Sequence, residues 1–381
     1  MKIKRIFARK IHNSRGEPAI EVIVNKKYSS SAPSGASTGK HEVVAFPKGI
    51  DFSIEFINKF KDFKGLRFEE FNDLGVFDEL IPLIGGNAVV ALQGAVLKAM
   101  ANNEVWLFLN PKSVKLPIPL GNVVGGGAHT RKRNAPDIQE FLLIPKTKRF
   151  SDRVFLNRHL YHKIGKFLSA KNKTDEGAWI PAKMSDMEIF DKLSSFLSDK
   201  GNTFGKKVGL GIDLAASQLW NGRRYIYKNY SETKRKKSLT TSEQVEFINR
   251  IAKKYNLIYV EDGLREDDFT SFRKLKVKLN CGDDLITTNL DRLKQAVKQK
   301  SINTVIIKPN QIGSLVKAKE VVDFAHKNNI TPVVSHRSGE TMDTLIAHLA
   351  VGWQIPYIKC SPFGKERTVK FDELKRIESL L

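Results

Sequence analysis

Six apolar segments in the second half of the chain each end in a polar side chain that could take part in chemistry. The clearest is the run 305–307, three β-branched residues followed by Lys308 and then by Pro309. Such a run predicts a strand covered on both faces, and proline cannot continue a strand ladder, so we expect the strand to end at the lysine. The polar groups that follow the six segments are Asp213, Glu261, Asp283, Lys308, the triplet His336-Arg337-Ser338, and Lys359.

The spacing of these groups indicates an α/β fold built as a (β/α)8 TIM-like barrel. From Glu261 onward they lie 22 to 28 residues apart. One strand–helix unit of an eightfold barrel takes ~30 residues, and the strand ends meet at one rim, where the chemistry of such barrels is found. The intervening segments are amphipathic, which predicts helices over 242–254, with Ser242 as N-cap, and over 289–299.

Three carboxylates stand at consecutive predicted strand ends: Asp213, Glu261 and Asp283. Oxygen ligands without histidine or cysteine suit Mg²⁺ better than Zn²⁺. Lys308 would lie on the same rim, where a neighbouring cation would favour the neutral amine that a general base needs. Arg337 and Ser338 offer a guanidinium fork and a hydroxyl suited to phosphate. Together these groups indicate proton abstraction beside the carboxylate of a phosphorylated acid.

The first part of the chain predicts a separate α+β domain. Apolar and polar residues alternate over 1–28 around a turn, which indicates an antiparallel hairpin. A loop of small residues follows at 29–39, and helical spacing runs from 54 to 109. The expected division is an α+β N-terminal capping domain over 1–115 and the barrel over 116–381.

Composition bounds the class of protein. Of the 381 residues, 41% are hydrophobic and 28% are charged, as in ordinary globular proteins. Two cysteines are too few for a disulfide framework, which predicts a reducing, cytoplasmic setting. No apolar stretch approaches the roughly 18 residues that a membrane span requires, so we expect no span.

The net charge is high for a globular protein. The chain carries 64 Lys and Arg residues against 41 Asp and Glu residues, a net charge of +23. Excess positive charge attracts polyanions, including nucleic acid and anionic membrane surfaces. The basic residues are dispersed, however, with short clusters only at 130–133 and 234–237. Nucleic-acid binding is therefore the less favoured interpretation, and salt-sensitive binding of RNA would support it.

Nine short motifs, in order along nearly the whole chain, resemble the enolase family in its short, archaeal-like form. They are SRGEP at 14–18, PSGASTG at 33–39, DIQEF at 137–141, DEG at 175–177, ED at 261–262, GDDL at 282–285, KPNQIG at 308–313, SHRSGET at 335–341 and IK at 358–359. No single motif is decisive, but nine in order are specific. The resemblance implies an enolase-type barrel with an N-terminal capping domain.

The resemblance also implies a reaction. It would be the Mg²⁺-dependent, reversible dehydration of 2-phospho-D-glycerate to phosphoenolpyruvate, a lyase step of glycolysis and gluconeogenesis. Lys308 would remove the proton at C2, and Glu176 would protonate the departing C3 hydroxyl. Glu140 would complete the catalytic set.

The remaining implied roles concern binding. The first of two magnesium ions per active site would be held by Asp213, Glu261 and Asp283. The second would be held with the help of Ser37, on a loop that closes over the site. The substrate's phosphate would contact Arg337 and Ser338, and its carboxylate Lys359. The pocket would also be lined by His129, Gln139, Glu140 and His336.

Two alternatives and two departures accompany the resemblance. An enzyme of the same superfamily acting on another carboxylate is disfavoured by the phosphate-binding pair and the Ser37 loop. A binding protein with a relic site is disfavoured because every expected group is present. The segment Gly177-Ala178-Trp179 stands where the family usually has Gly-Gly-Phe, and Gly263 where it has Pro. The family implies a homodimer or higher homo-oligomer, with contacts expected at Arg9, Arg15 and Glu21.

Overall fold

The computed structural model describes residues 1–35, 39–130, 135–199 and 201–381. Ser37 and residues 131–133 of the first basic cluster lie outside this set. The described chain begins with an antiparallel sheet of three strands: β1 (Ile6–His12), β2 (Pro18–Val24) and β3 (Tyr28–Ser31). β1 and β2 form the predicted hairpin, and Arg9 stands opposite Glu21 in its register.

Helices follow this sheet along the chain, and those at 50–59 and 86–100 pack on it. They are α1 (Ile50–Lys59), α2 (Ile81–Ile84), α3 (Gly86–Met100) and α4 (Val105–Leu109), with a 3₁₀ segment at Phe71–Leu80 before α2. α3 is buried along almost its whole length because it packs on β2 and β3. A Cβ at Gly94 would lie 2.4 Å from Oγ of Ser30, so glycine allows this close approach of helix and sheet.

The rest of the chain contains the barrel and its connections. Its strands, in chain order, are β4 (Ile118–Gly125), β5 (Glu140–Pro145), β6 (Asn172–Lys173), β7 (Trp179–Ile180), β8 (Val208–Asp213), β9 (Tyr225–Tyr227), β10 (Lys237–Leu239), β11 (Leu257–Glu261), β12 (Leu279–Gly282), β13 (Thr304–Ile307), β14 (Thr331–Ser335) and β15 (Tyr357–Lys359). Eight strands, in the order β4-β5-β8-β11-β12-β13-β14-β15, form a closed ring because β15 pairs with β4. The predicted TIM-like barrel is confirmed.

Helices surround this ring. They are α5 (Phe150–Phe167), α6 (Asp186–Ser198), α7 (Thr241–Lys254), α8 (Phe269–Phe272), α9 (Leu290–Gln299), α10 (Pro309–Ile312), α11 (Leu315–Lys327), α12 (Leu345–Gly352) and α13 (Lys365–Glu378). α9 agrees with the prediction over 289–299 to within one residue, because Asn289 is the N-cap and the helix begins at Leu290. The predicted N-cap Ser242 of α7 is wrong, because Thr240 caps the helix and forms a reciprocal capping box with Glu243.

One strand departs from a strictly parallel barrel. β5 runs antiparallel to both β4 and β8, whereas the other neighbours in the ring are parallel. The start of β5 therefore lies at the rim where the parallel strands end. Glu140, its first residue, pairs with Asp213, the last residue of β8. The reversed strand thus brings its own carboxylate to the predicted site.

Two apolar clusters stabilise the molecule. One fills the barrel interior and contains Leu120, Leu142, Ile144, Tyr259, Leu279, Cys281, Ile306 and Val333. The other lies between the barrel and its helices and continues into the N-terminal sheet. None of the described helices combines the length and apolar character that crossing a membrane requires. The segment between Leu109 and Ile118 contains the predicted boundary near residue 115, and the division into two domains there stays a prediction.

Candidate active site

A cleft opens at the rim where the barrel strands end. It brings together most of the residues predicted from the sequence: His129, Gln139, Glu140, Glu176, Asp213, Asp283, Lys308, His336, Arg337, Ser338 and Lys359. Glu261 lies directly beneath the cleft, fully buried, at the end of β11. Ser37 is the one predicted site residue outside the described part of the chain.

Lys359 holds three carboxylates together at the floor of the cleft. Its Nζ lies 2.8 Å from Asp213, 2.8 Å from Glu261 and 3.2 Å from Glu140. Burial alone would lower the pKa of this lysine, but attraction to the carboxylates outweighs burial and raises the pKa well above its ordinary value. Lys359 is therefore a permanent cation, suited to an anionic ligand and unsuited to proton transfer.

Lys308 lies at the end of β13 and pairs with Asp283 through its Nζ. Gln311 donates to the other oxygen of that carboxylate at 3.0 Å, and the Lys308 backbone amide donates to Thr288 at 2.9 Å. Burial lowers the pKa of Lys308, but the charge of Asp283 reverses this and the pKa is raised. Lys308 is consequently protonated, and the predicted neutral amine requires that another cation share the charge of Asp283.

Glu176 lies between two histidines. Its carboxylate oxygens are 3.6 Å from Nε2 of His129 and 3.5 Å from Nε2 of His336. Burial would raise the pKa of Glu176, but the two imidazoles hold it well below its usual range. Asn122 adds a side-chain amide donor at 3.3 Å. The carboxylate is therefore ionised and held from three sides.

A short hairpin presents Glu176 to the cleft. β6 and β7 pair antiparallel, and Thr174 and Ala178 are joined by a 2.9 Å backbone hydrogen bond across the loop. Gly177 has φ +84°, a left-handed conformation that glycine adopts without strain. Glu176 thus lies at the tip of a hairpin beside the barrel.

Arg337 faces the cleft from the end of β14 with its guanidinium engaged by Glu42. Both terminal nitrogens contact the Glu42 carboxylate at 3.0 to 3.1 Å, and one also contacts Asn310 at 3.3 Å. A phosphate would compete with Glu42 for this guanidinium, because the oxygens of carboxylate and phosphate groups accept hydrogen bonds from the same N–H donors. Glu42 was not predicted, because nothing in its local sequence indicates a partner 295 positions away.

Arg367, on α13, is a second residue that sequence reasoning missed. Its side chain is buried, donates to Nδ1 of His336 at 3.1 Å, and donates to the carbonyl of Ser338 at 2.8 Å. It thereby fixes the ring of His336 with Nε2 directed at Glu176. The amphipathic pattern of α13 identifies the helix but not this contact.

Acidic groups outnumber cations on one side of the cleft. Asp262, Asp283 and Asp284 place carboxylate oxygens within 4.8 Å of one another, as do Glu140 and Glu176 with His129. Burial followed by the charge of Asp213 raises the pKa of Glu261 to about 8, and burial followed by Asp283 raises that of Asp284 to about 7. An all-oxygen donor set with this surplus of negative charge fits a hard divalent cation.

The assignment of individual residues as metal ligands stays a prediction. Asp213 and Glu261 are bridged by Lys359, and Asp283 is held by Lys308, so the three predicted ligands surround the two ammonium groups. Asp262 and Asp284 were not predicted as site residues, although each adjoins one that was. Asp262 accepts from the backbone amides of Asp283 and Asp284 at 3.0 and 2.7 Å, which orients the turn after β12.

The raised pKa of Glu261 predicts how stability depends on pH. In the unfolded chain a glutamate titrates near about 4.3, so between about pH 5 and 8 the folded protein binds the extra proton and loses it as pH rises. The chelator-treated protein should therefore become less stable over this window, by up to about 1.4 kcal/mol per pH unit for each such proton. Asp283 and Glu176, whose pKa values are lowered, titrate below this pH window.

Urea denaturation in chelator at pH 5.5 and pH 8 measures this effect. Glu261→Gln keeps the shape and removes one titrating group, so it should make the dependence shallower, while Asp284 still contributes in this window. A free energy of unfolding that increases from pH 5.5 to 8 in the unsubstituted protein would contradict the prediction.

Comparison with known proteins gives a consistent result. A family model described as "Enolase, C-terminal TIM barrel domain" matches residues 113–381, the part that contains the barrel and most of the residues that line the cleft. The chain is 38% identical to a protein named enolase from Methanothermobacter thermautotrophicus, over 99% of this chain and 96% of the relative. It is 38% identical to the enolase of Methanocorpusculum labreanum, over 99% and 98%, and 36% identical to that of Picrophilus torridus, over 100% and 99%.

Proposed function

The chain belongs to the enolase family, and from this membership and the geometry of the cleft we propose that it catalyses the Mg²⁺-dependent, reversible dehydration of 2-phospho-D-glycerate to phosphoenolpyruvate. The observation that carries the proposal is the arrangement of Lys308 and Glu176. They enter one cleft from different elements, and the permanent cation Lys359 lies on its floor. Proton removal at one carbon and hydroxyl departure at the next require two such groups, one for each carbon.

In the first step, Lys308 acts as the base. Its neutral amine takes the proton from C2, and the electron pair of the C–H bond passes into the neighbouring carboxylate, which becomes a doubly charged enolate. Lys359 stabilises that charge because it is a buried ammonium that stays protonated. Glu140, 3.2 Å from Lys359, helps to orient the ammonium.

In the second step, Glu176 acts as the acid. The enolate electrons form the C2–C3 double bond, the C3–O bond breaks, and the hydroxyl leaves as water with a proton from Glu176. The ionised state of this carboxylate beside His129 and His336 suits it as the base of the reverse reaction. A substrate carrying phosphate and carboxylate charges would raise its pKa toward the protonated form that dehydration requires.

The other polar residues of the cleft are assigned to binding the substrate. Arg337 and Ser338 would hold the phosphate, with Glu42 displaced from the guanidinium. Gln139, which donates to Asp213 at 3.3 Å, and His129 and His336 would line the rest.

The buried carboxylates would hold magnesium. Asp213, Glu261 and Asp283 would bind the first ion, and Ser37 would contribute to a second. When bound, the ion would supply positive charge that stabilises a developing enolate. A divalent cation bound to Asp283 would weaken the ion pair between Asp283 and Lys308. The pKa of Lys308 would then fall, which favours the neutral amine that accepts a proton.

The wider setting is also a proposal. The reaction places the protein in glycolysis and gluconeogenesis in the cytoplasm, and the family implies a homodimer or higher homo-oligomer. Of the expected dimer residues, Arg9 pairs with Glu21 of its own chain at 2.6 Å, and Arg15 lies 3.6 Å from Asp175 beside the cleft. These pairs would have to be shared with, or replaced by, partners across an interface.

Ultraviolet absorbance of phosphoenolpyruvate tests the function directly. The folded protein should form it from 2-phosphoglycerate with Mg²⁺ and should stop when a chelator is added. Formation that proceeds at the same rate in chelator would contradict the metal dependence. No formation by the folded, Mg²⁺-loaded protein would overturn the proposed activity.

A further inference from the structure

A lysine enclosed by aromatic rings lies at the base of the hairpin that carries Glu176. Nζ of Lys173 is 3.3 Å from the ring centroid of Phe363, 4.5 Å from that of Trp179 and 5.8 Å from that of Tyr161. An ammonium within ~6 Å of an aromatic face is attracted by the ring quadrupole. No ion pair of Lys173 occurs among the described residues. We refer to Lys173 and the three rings as the Lys173 cage.

Tyr161 contacts both of the other rings of the cage. Tyr161 stacks on Trp179 at 5.2 Å and on Phe363 at 5.7 Å, with interplanar angles of 23° and 24°. Nε1 of Trp179 donates to the carbonyl of Tyr161 at 2.9 Å. The rings come from α5, from β7 and from the segment between β15 and α13. The cage therefore joins the hairpin to two separate parts of the barrel.

Direct contacts connect the cage to the loop around Glu176. Lys173 and Trp179 stand opposite each other in the β6–β7 register, one on each side of the loop. The hydroxyl of Tyr161 donates to the carbonyl of Gly177 at 2.6 Å. A Cβ on Gly177 would lie 2.5 Å from the ring of Phe363, so this residue rests against the cage. Both ends of the loop and the residue after Glu176 are thus fixed by the same cluster.

We propose that the Lys173 cage positions the carboxylate of Glu176, and that Lys173 is a positioning residue for the dehydration step. The ammonium of Lys173 is attracted to rings that belong to the barrel. This attraction holds the base of the hairpin against α5. Glu176, three residues along the chain, is thereby kept between His129 and His336. This inference rests on the proposed role of Glu176 as the acid at C3.

The role predicts that the two steps of the reaction respond differently to removal of the charge. Lys173→Met keeps the length of the side chain and removes the cation. We expect kcat for phosphoenolpyruvate formation to fall tenfold or more, since displacement of a catalytic group by ~1 Å can cost ~100-fold. Exchange of the C2 proton of 2-phosphoglycerate with ²H₂O depends on Lys308 and should change less than twofold. KM should also change less than twofold, because Lys173 does not face the cleft.

Matched variants distinguish a positioning role of Lys173 from a general loss of folded structure. Lys173→Arg should recover most of kcat, because a guanidinium also binds aromatic faces. Lys171→Met makes the same charge change on an exposed neighbour and should leave both rates unchanged. Phe363→Leu removes the nearest ring and should reproduce the effect of Lys173→Met, which keeps the test decisive if one variant folds poorly.

Three results would overturn the inference. They are an equal fall of exchange and dehydration in Lys173→Met, an unchanged kcat in that variant, and a failure of Lys173→Arg to recover activity when the variant is folded. A wild-type protein that shows neither exchange nor dehydration would instead overturn the proposed function. The two failures are therefore distinguishable.

Discussion

Lys308→Ala is expected to lower kcat for phosphoenolpyruvate formation by about 10²–10⁴-fold, the range that a positioned general base contributes. The lysine follows β13 with 13% of its side chain exposed, and its Nζ contacts Asp283 on the floor of the cleft. Alanine removes the only group assigned to receive the C2 proton. Steady-state absorbance assays at saturating Mg²⁺ measure the effect.

Two variants control for the loss of charge beside Asp283. Lys308→Arg restores a cation to that carboxylate but cannot be deprotonated, so it should remain as inactive as Lys308→Ala. Lys298→Ala removes an exposed lysine from the last turn of α9 and should leave kcat unchanged. Activity of Lys308→Arg within tenfold of the unsubstituted protein would show that the residue supplies charge and is not the base.

Lys359→Met is expected to lower the free energy of unfolding by about 3–5 kcal/mol in the presence of chelator, because removal of one partner leaves buried charge uncompensated. Asp213, Glu261 and Glu140 would face one another without the ammonium that now lies within 3.2 Å of each. Urea denaturation at pH 8 measures the loss.

The size of this loss should depend on conditions in a way that simple loss of packing would not. Mg²⁺ should reduce it, because the cation supplies the missing charge. Acid should also reduce it, because protonation of the carboxylates removes their repulsion. Lys365→Met, at the exposed start of α13, is the matched control and should change stability by less than about 0.5 kcal/mol. A loss of equal size under all conditions would contradict the electrostatic explanation.

The strand ends could be predicted because they combine two local signals. Each parallel strand is a short apolar run, and a polar residue follows where the run stops. At 305–307 the β-branched residues predicted burial, and Pro309 predicted the end at Lys308. The structure has Thr304–Ile307 as β13 and places the lysine at its end. Since the ends of parallel strands meet at one rim of a barrel, local signals of this kind were sufficient to assemble most of the cleft.

The features that could not be predicted depend on contacts between distant parts of the chain. The direction of β5 has no signature in its own residues, because parallel and antiparallel strands share the same apolar pattern when both faces are covered. The pairing of Arg337 with Glu42 joins the barrel to the first part of the chain. Arg367 similarly orients His336 from a helix that lies later in the sequence. No local sequence pattern around these residues identifies their contact partners.

The measurement that tests the central claim most directly compares two rates for the same proteins. Exchange of the C2 proton of 2-phosphoglycerate with ²H₂O, followed by NMR, reports the step assigned to Lys308. Absorbance of phosphoenolpyruvate reports the complete reaction. We predict that Glu176→Gln retains exchange while losing dehydration, and that Lys308→Ala loses both. Loss of exchange in Glu176→Gln together with its retention in Lys308→Ala would contradict the assignment of base and acid.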